Sequence, residues 1–77
     1  MKKTKQSTRY RKLLKELKLA RMNAKLTQTQ VAAKFGAHAS FVSKCESGER
    51  RIDVIELTDF CKIYGVKFED FLKRVEL

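Results

Sequence analysis

The sequence contains no proline, no tryptophan and only three glycines in 77 residues. That scarcity argues against a turn-rich sheet protein and for helices joined by short connections. Apolar runs never exceed a few residues, far short of a bilayer span, and no apolar stretch follows the basic N-terminus as a secretory signal would require. A cytoplasmic protein with no membrane segment is therefore expected. The single histidine, His38, and two cysteines, Cys45 and Cys61, without C-x-x-C spacing provide neither a disulfide framework nor a zinc ligand set. No metal and no cofactor is expected, and both cysteines read as small core hydrophobes on helices. Six of the nine carboxylates lie in the last 25 residues at surface-type positions, and no nucleophile–His–acid set or glycine-rich phosphate loop is present. Catalysis is not expected.

What the chain has in abundance is positive charge, at a net +9. Ten Lys/Arg face one Glu in residues 1–25, four face two acids in 26–51, and four face six in 52–77. Charge so polarised suggests a face aimed at a polyanion, nucleic acid or anionic membrane. The 43% apolar content suffices for one small core. Residues 1–8 read as a flexible basic arm, with residues 9–77 as the folded domain.

Tyr10, Leu13, Leu14, Leu17 and Ala20 recur at helical spacing and predict a first helix ending near Ala24. Thr27 with Gln30 three residues on is a capping-box spacing ahead of Val31, Ala32 and Phe35, and Gly36 is a natural stop. A third short helix begins at His38 or Ala39, points Val42 and Cys45 inward and stops at Ser47-Gly48. Asp53 caps a fourth carrying Val54, Leu57, Cys61 and Tyr64 with Gly65 at its end, and Phe68, Phe71, Leu72 and Val75 mark a fifth. The expected fold is all-α, a compact bundle of five short helices. Its second helix of about eight residues, a glycine-containing turn of three or four and another short helix have the arrangement of a helix-turn-helix.

The ordered series Leu26-Thr27-Gln28, Val31-Ala32, Phe35-Gly36, Phe41-Val42-Ser43-Lys44 and Glu46-Ser47-Gly48-Glu49-Arg50-Arg51 resembles the Cro and phage-repressor (Xre) family. It continues through Ile52-Asp53-Val54 and Tyr64-Gly65-Val66 to Phe71, covering roughly residues 13–75. The resemblance implies a lambda-repressor-like domain that reads double-stranded DNA with the helix at about 38–46. Gln28 matches the family glutamine that contacts phosphate and braces the recognition helix, with Thr29 beside it. His38, Ala39, Ser40, Phe41, Ser43 and Lys44 fall on the helix presented to bases, and Ser47, Arg50 and Arg51 match phosphate-gripping positions. Arg21 and Glu46 match a buried pair that pins the third helix. Three residues depart from the pattern: Lys25 stands at a usual glycine, and His38 and Lys67 replace better helix caps.

Because one recognition helix reads only about four or five base pairs, two half-sites and a homodimer are expected. Phe68, Phe71, Leu72, Val75 and Leu77 supply the candidate interface. The function expected is a sequence-specific transcriptional repressor reading a palindromic operator. The alternative is an antitoxin or mobile-element regulator that holds a partner protein, such as a toxin, as well as DNA. A toxin-wrapping segment would normally extend beyond residue 75, where this chain has almost nothing.

Overall fold

In a computed structural model that describes residues 7–75, the chain forms α1 (Thr8–Asn23), α2 (Gln28–Phe35), α3 (Ala39–Ser47), α4 (Val54–Tyr64) and α5 (Phe68–Val75). The helix ends follow from local chemistry. Ser7 accepts the Tyr10 amide at 3.1 Å and starts α1, so Thr8 belongs to the helix rather than to a basic arm. Residues 1–6 of that arm lie outside the described residues. Thr27 and Gln30 form the reciprocal capping box of α2, and Asp53 and Glu56 form a second one on α4.

Four helix ends close in left-handed backbone, at Lys25, Gly36, Gly48 and Gly65. Gly36 (φ 70) closes α2 and lets the Ala37 amide reach back to the Ala32 carbonyl at 2.9 Å. Lys25 (φ 60) does the same work after α1, with the Leu26 amide bonding the Arg21 carbonyl at 3.2 Å. It is the one non-glycine residue with positive φ among the described residues, and it carries the side-chain strain that glycine would avoid.

The core is a single cluster fed by every helix: Leu17 and Ala20 from α1, Val31 and Ala32 from α2, Val42 and Cys45 from α3. Leu57, Phe60, Cys61 and Tyr64 come from α4 and Phe71 from α5. Both cysteines are free and buried, and burial pushes both thiols up, as suits inert hydrophobes. α1 packs across α3, α4 and α5, while α2 packs on α3. The α2–α3 pair is thus held against a three-helix support.

The apolar series expected on α4 departs from its buried face at two positions. Val54 is 61% exposed, because the capping box places it in the first turn of α4, one turn beyond the edge of the buried Leu57–Phe60–Cys61–Tyr64 stripe. Phe60, absent from the expected series, is fully buried and is one of the largest core side chains.

Candidate nucleic-acid interface

α2, the turn at Gly36 and α3 form the arrangement on which the site is built. The inner face of α3 is given to the core by Val42 and Cys45, both at 0% exposure. That leaves its outer face polar: Ser40, Lys44 and Ser47 are exposed, and Ala39 and Ser43 are half-buried beside them. Spacings of three and four residues put these side chains on one side of the helix. His38 caps α3, accepting the Ser40 amide on Nδ1 at 3.3 Å, and its ring also meets the Ser40 hydroxyl at 3.2 Å. Ser43 donates to the Ser40 carbonyl at 3.2 Å and Ser47 to the Lys44 carbonyl at 3.1 Å, so these hydroxyls are oriented along the exposed face.

α3 is pinned from behind. Arg21 on α1 donates to Glu46 through Nε at 2.7 Å and Nη2 at 3.2 Å, and through Nη1 to the Leu26 carbonyl at 2.9 Å. The two side chains are only 12% and 6% exposed. The hydrogen bonds donated to Glu46 raise the Arg21 pKa further, outweighing the opposing effect of burial. Gln28, at the start of α2, donates Nε2 to Glu46 at 2.9 Å. One carboxylate thus ties α1, α2 and α3 together. Gln28 is occupied as a brace, while exposed Thr29 and the first-turn amides of α2 point an electropositive helix end outward.

The residues after α3 divide. Arg50 forms a two-point pair with Glu56, Nη1 to Oε1 and Nη2 to Oε2, both at 2.8 Å. It also donates to the Arg51 carbonyl at 3.0 Å and lies 4.9 Å from the Phe41 ring centroid. Glu56 is held below the usual carboxylate range chiefly by that guanidinium. Arg50 is therefore oriented by α4 and Phe41 rather than extended toward a phosphate. Arg51 is exposed and lies 4.2 Å from the centroid of Tyr10, whose hydroxyl accepts the Ile52 amide at 3.0 Å. Phe41 meets Phe35 edge-on at 5.1 Å and runs parallel to Phe60 at 6.1 Å, so its ring is largely a core element that Arg50 covers.

Of the expected interface residues on α5, Phe71 is at 0% exposure and belongs to the core, Phe68 and Val75 are half-buried, and Leu72 is 40% exposed. Leu77 lies outside the described residues. The Glu56 partner of Arg50 and the Tyr10–Ile52 bond were missed from sequence. An Arg-x-x-Asp-x-x-Glu spacing is the only trace of the first, and nothing local announces the second.

A short helix, a glycine turn and a second short helix, braced by buried charge behind and polar in front, define a helix-turn-helix nucleic-acid-binding module. The helix-turn-helix domain family matches residues 13–71 of the chain. Among solved structures, the chain is similar to an XRE-family like protein from Pseudomonas syringae pv. tomato str. DC3000. The two are 46% identical with a TM-score of 0.83, over 87% of this chain and 82% of that one. No curated protein matched. The chain belongs to the helix-turn-helix family in its Xre form, a family of DNA-binding transcription regulators. The fold is one that typically carries no catalysis, and among the described residues no helix is long and apolar enough to cross a membrane.

Proposed function

We propose that the protein is a cytoplasmic, sequence-specific repressor that binds a palindromic operator as two copies, each placing α3 in the major groove. The observation that carries this reading is the outer face of α3, where Ser40, Ser43 and Lys44 stand on a helix held from behind by Arg21, Gln28 and Glu46. A recognition helix reads bases only if its register on the duplex is fixed, and a three-helix carboxylate tie supplies that rigidity.

In this reading Lys44 donates to guanine O6 or N7 without the planar fork of arginine, and the serines discriminate weakly. Ala39 offers a methyl contact. Thr29, His38, Ser47 and Arg51, with the first-turn amides of α2, take phosphate and so set position and salt dependence. Arg50 contributes by shaping the loop that carries Arg51. Two copies are favoured because half-sites one turn apart, about 34–36 Å, suit a body of 37 × 26 × 20 Å. With Phe71 used by the core, apolar surface for a contact between copies comes from Val54 and Ile55 (61% and 66% exposed), Leu72 and Val75. So small a surface suits a dimer completed on DNA.

Selection of bound duplexes from a random pool tests this directly. The expected winner is palindromic, and Lys44→Ala weakens its binding by about tenfold while relaxing preference at one position per half-site. Binding without any preferred sequence would overturn the reading and favour the partner-holding alternative.

A further inference from the structure

α1 turns Leu14, Leu17 and Ala20 into the core and Arg21 onto Glu46, and its opposite face is basic. Arg11, Lys15 and Lys18 are exposed there at i, i+4, i+7 spacing, a row about 10 Å long, with half-buried Lys12 beside it. No carboxylate pairs with any of the four among the described residues. Glu16, the one acid of α1, lies about 100° around the helix from Lys15. The row works against the helix that carries it. Arg9 and Arg11 stand at its start, where the helix dipole disfavours cations, and the first turn holds no acid. Like charges meet at i, i+4 (Arg11 and Lys15) and at i, i+3 (Lys12 and Lys15, Lys15 and Lys18). α5 has the favourable order, with Glu69 and Asp70 in its first turn and Lys73 and Arg74 in its last. Repulsion of this kind is relieved when a polyanion lies along the row.

Three features narrow the polyanion. None of the four cations lines the trough of about 600 Å³ at Tyr10 and Leu72 or that of about 400 Å³ at Leu26 and Gln30. A protein partner seats its anchors in pockets, whereas phosphates need only a surface of cations. A helix lying on a membrane buries an apolar face, and the apolar face of α1 is already in the core, with Leu19 and Met22 left outside. A row of about 10 Å spans roughly three phosphates of one DNA strand. α1 and α3 meet through their inner faces, so the row and the exposed side of α3 point away from each other. One straight duplex cannot lie on both. We propose that the outward face of α1 is a second DNA surface, indifferent to sequence, by which a copy seated on one duplex holds another. Only the bridging rests on the reading of α3 given above; the contact of α1 with phosphate stands apart from it.

The test uses the full chain, its selected duplex fixed to a surface, and a labelled duplex of unrelated sequence in solution. At about 50 mM salt the loaded surface is expected to retain the labelled duplex, and three phosphate contacts predict about 40-fold weaker retention at about 200 mM. Arg11→Ala/Lys15→Ala/Lys18→Ala is expected to cut low-salt retention by about tenfold or more, to keep the preferred sequence and to melt no lower than the parent. Arg11→Lys/Lys15→Arg/Lys18→Arg, which keeps the charge, is expected to retain the duplex. No retention by the parent, or equal retention by the alanine variant, would overturn the proposal. Amide chemical-shift mapping separates it from the reading of α3. With the unrelated duplex, shifts at Arg11, Lys15 and Lys18 are expected, and they are expected to persist in Lys44→Ala. Shifts confined to α3 would remove the α1 surface and leave that reading intact. Shifts on α1 in a chain that selects no sequence would support the surface and remove the reading of α3. Phosphatidylserine vesicles that displace the duplex, with signal loss at Leu19 and Met22, would assign the face to a membrane and overturn the proposal.

Discussion

At the scale of single residues, Glu46 joins three helices, accepting from Arg21 twice and from Gln28 once. Arg21→Ala would leave its carboxylate buried without a counter-charge, and loss of one partner of such a pair costs about 3–5 kcal/mol. Both thermal stability and DNA affinity are expected to fall together; a variant that melts and binds like the parent removes Glu46 as the tie. Tyr64 is the opposite case. It is 6% exposed, its hydroxyl has no hydrogen-bond partner among the described residues, and burial, then the charge of Glu46, pushes its pKa well above the ordinary tyrosine value. Tyr64→Phe removes a polar atom that gains nothing from the fold, so the urea midpoint is expected to hold or to rise by up to about 1 kcal/mol of stability. A clear loss would show that the hydroxyl is bonded in solution.

Elements fail or hold at their ends. Lys25 occupies the left-handed residue that closes α1 (φ 60), and Lys25→Gly is expected to stabilise by up to about 1 kcal/mol, read from denaturant midpoints. Glu56 serves two elements at once. It accepts the Asp53 amide at 3.1 Å to complete the cap of α4, and it holds Arg50 at the exit of α3. Because Arg50 lowers its pKa below the ordinary glutamate value, the stability it adds is complete above that value and disappears as pH falls through the depressed one. Urea midpoints between about pH 3 and about pH 6 should therefore drop toward acid. Glu56→Gln should be weaker at neutral pH and should lose that part of the acid dependence. An unchanged pH profile in the variant would place the acid sensitivity elsewhere.

Across the whole molecule, positive charge is concentrated toward one end of the chain, and the fold spends its arginines differently. Arg21 and Arg50 are tied to carboxylates at 2.7 and 2.8 Å, Arg51 lies over the Tyr10 ring at 4.2 Å, and Lys44 is exposed on α3. Each phosphate neutralised contributes about 0.9 to the slope of log affinity against log salt. Arg51→Ala is expected to reduce that slope by about one. Arg50→Ala is expected to leave the slope nearly unchanged while lowering the melting temperature. Equal slope changes in both variants would return Arg50 to the phosphate surface.

The sequence by itself determined the elements. Helix stops at Gly36, Gly48 and Gly65 and caps at Thr27 and Asp53 are interactions between residues a few positions apart, so they are legible without a fold. The class of site was legible for the same reason, since two short helices around a glycine turn are a local pattern, and the resemblance added the Arg21–Glu46 pair, 25 positions apart. Only the tertiary structure decided which side of an amphipathic segment is covered and which partner a long side chain takes. It buried Phe60 and Phe71, left Val54 outside, sent Arg50 to Glu56, and brought Tyr10 to the Ile52 amide across 42 residues. Those outcomes depend on neighbours supplied by other helices, and helical spacing fixes a face without saying what will lie against it.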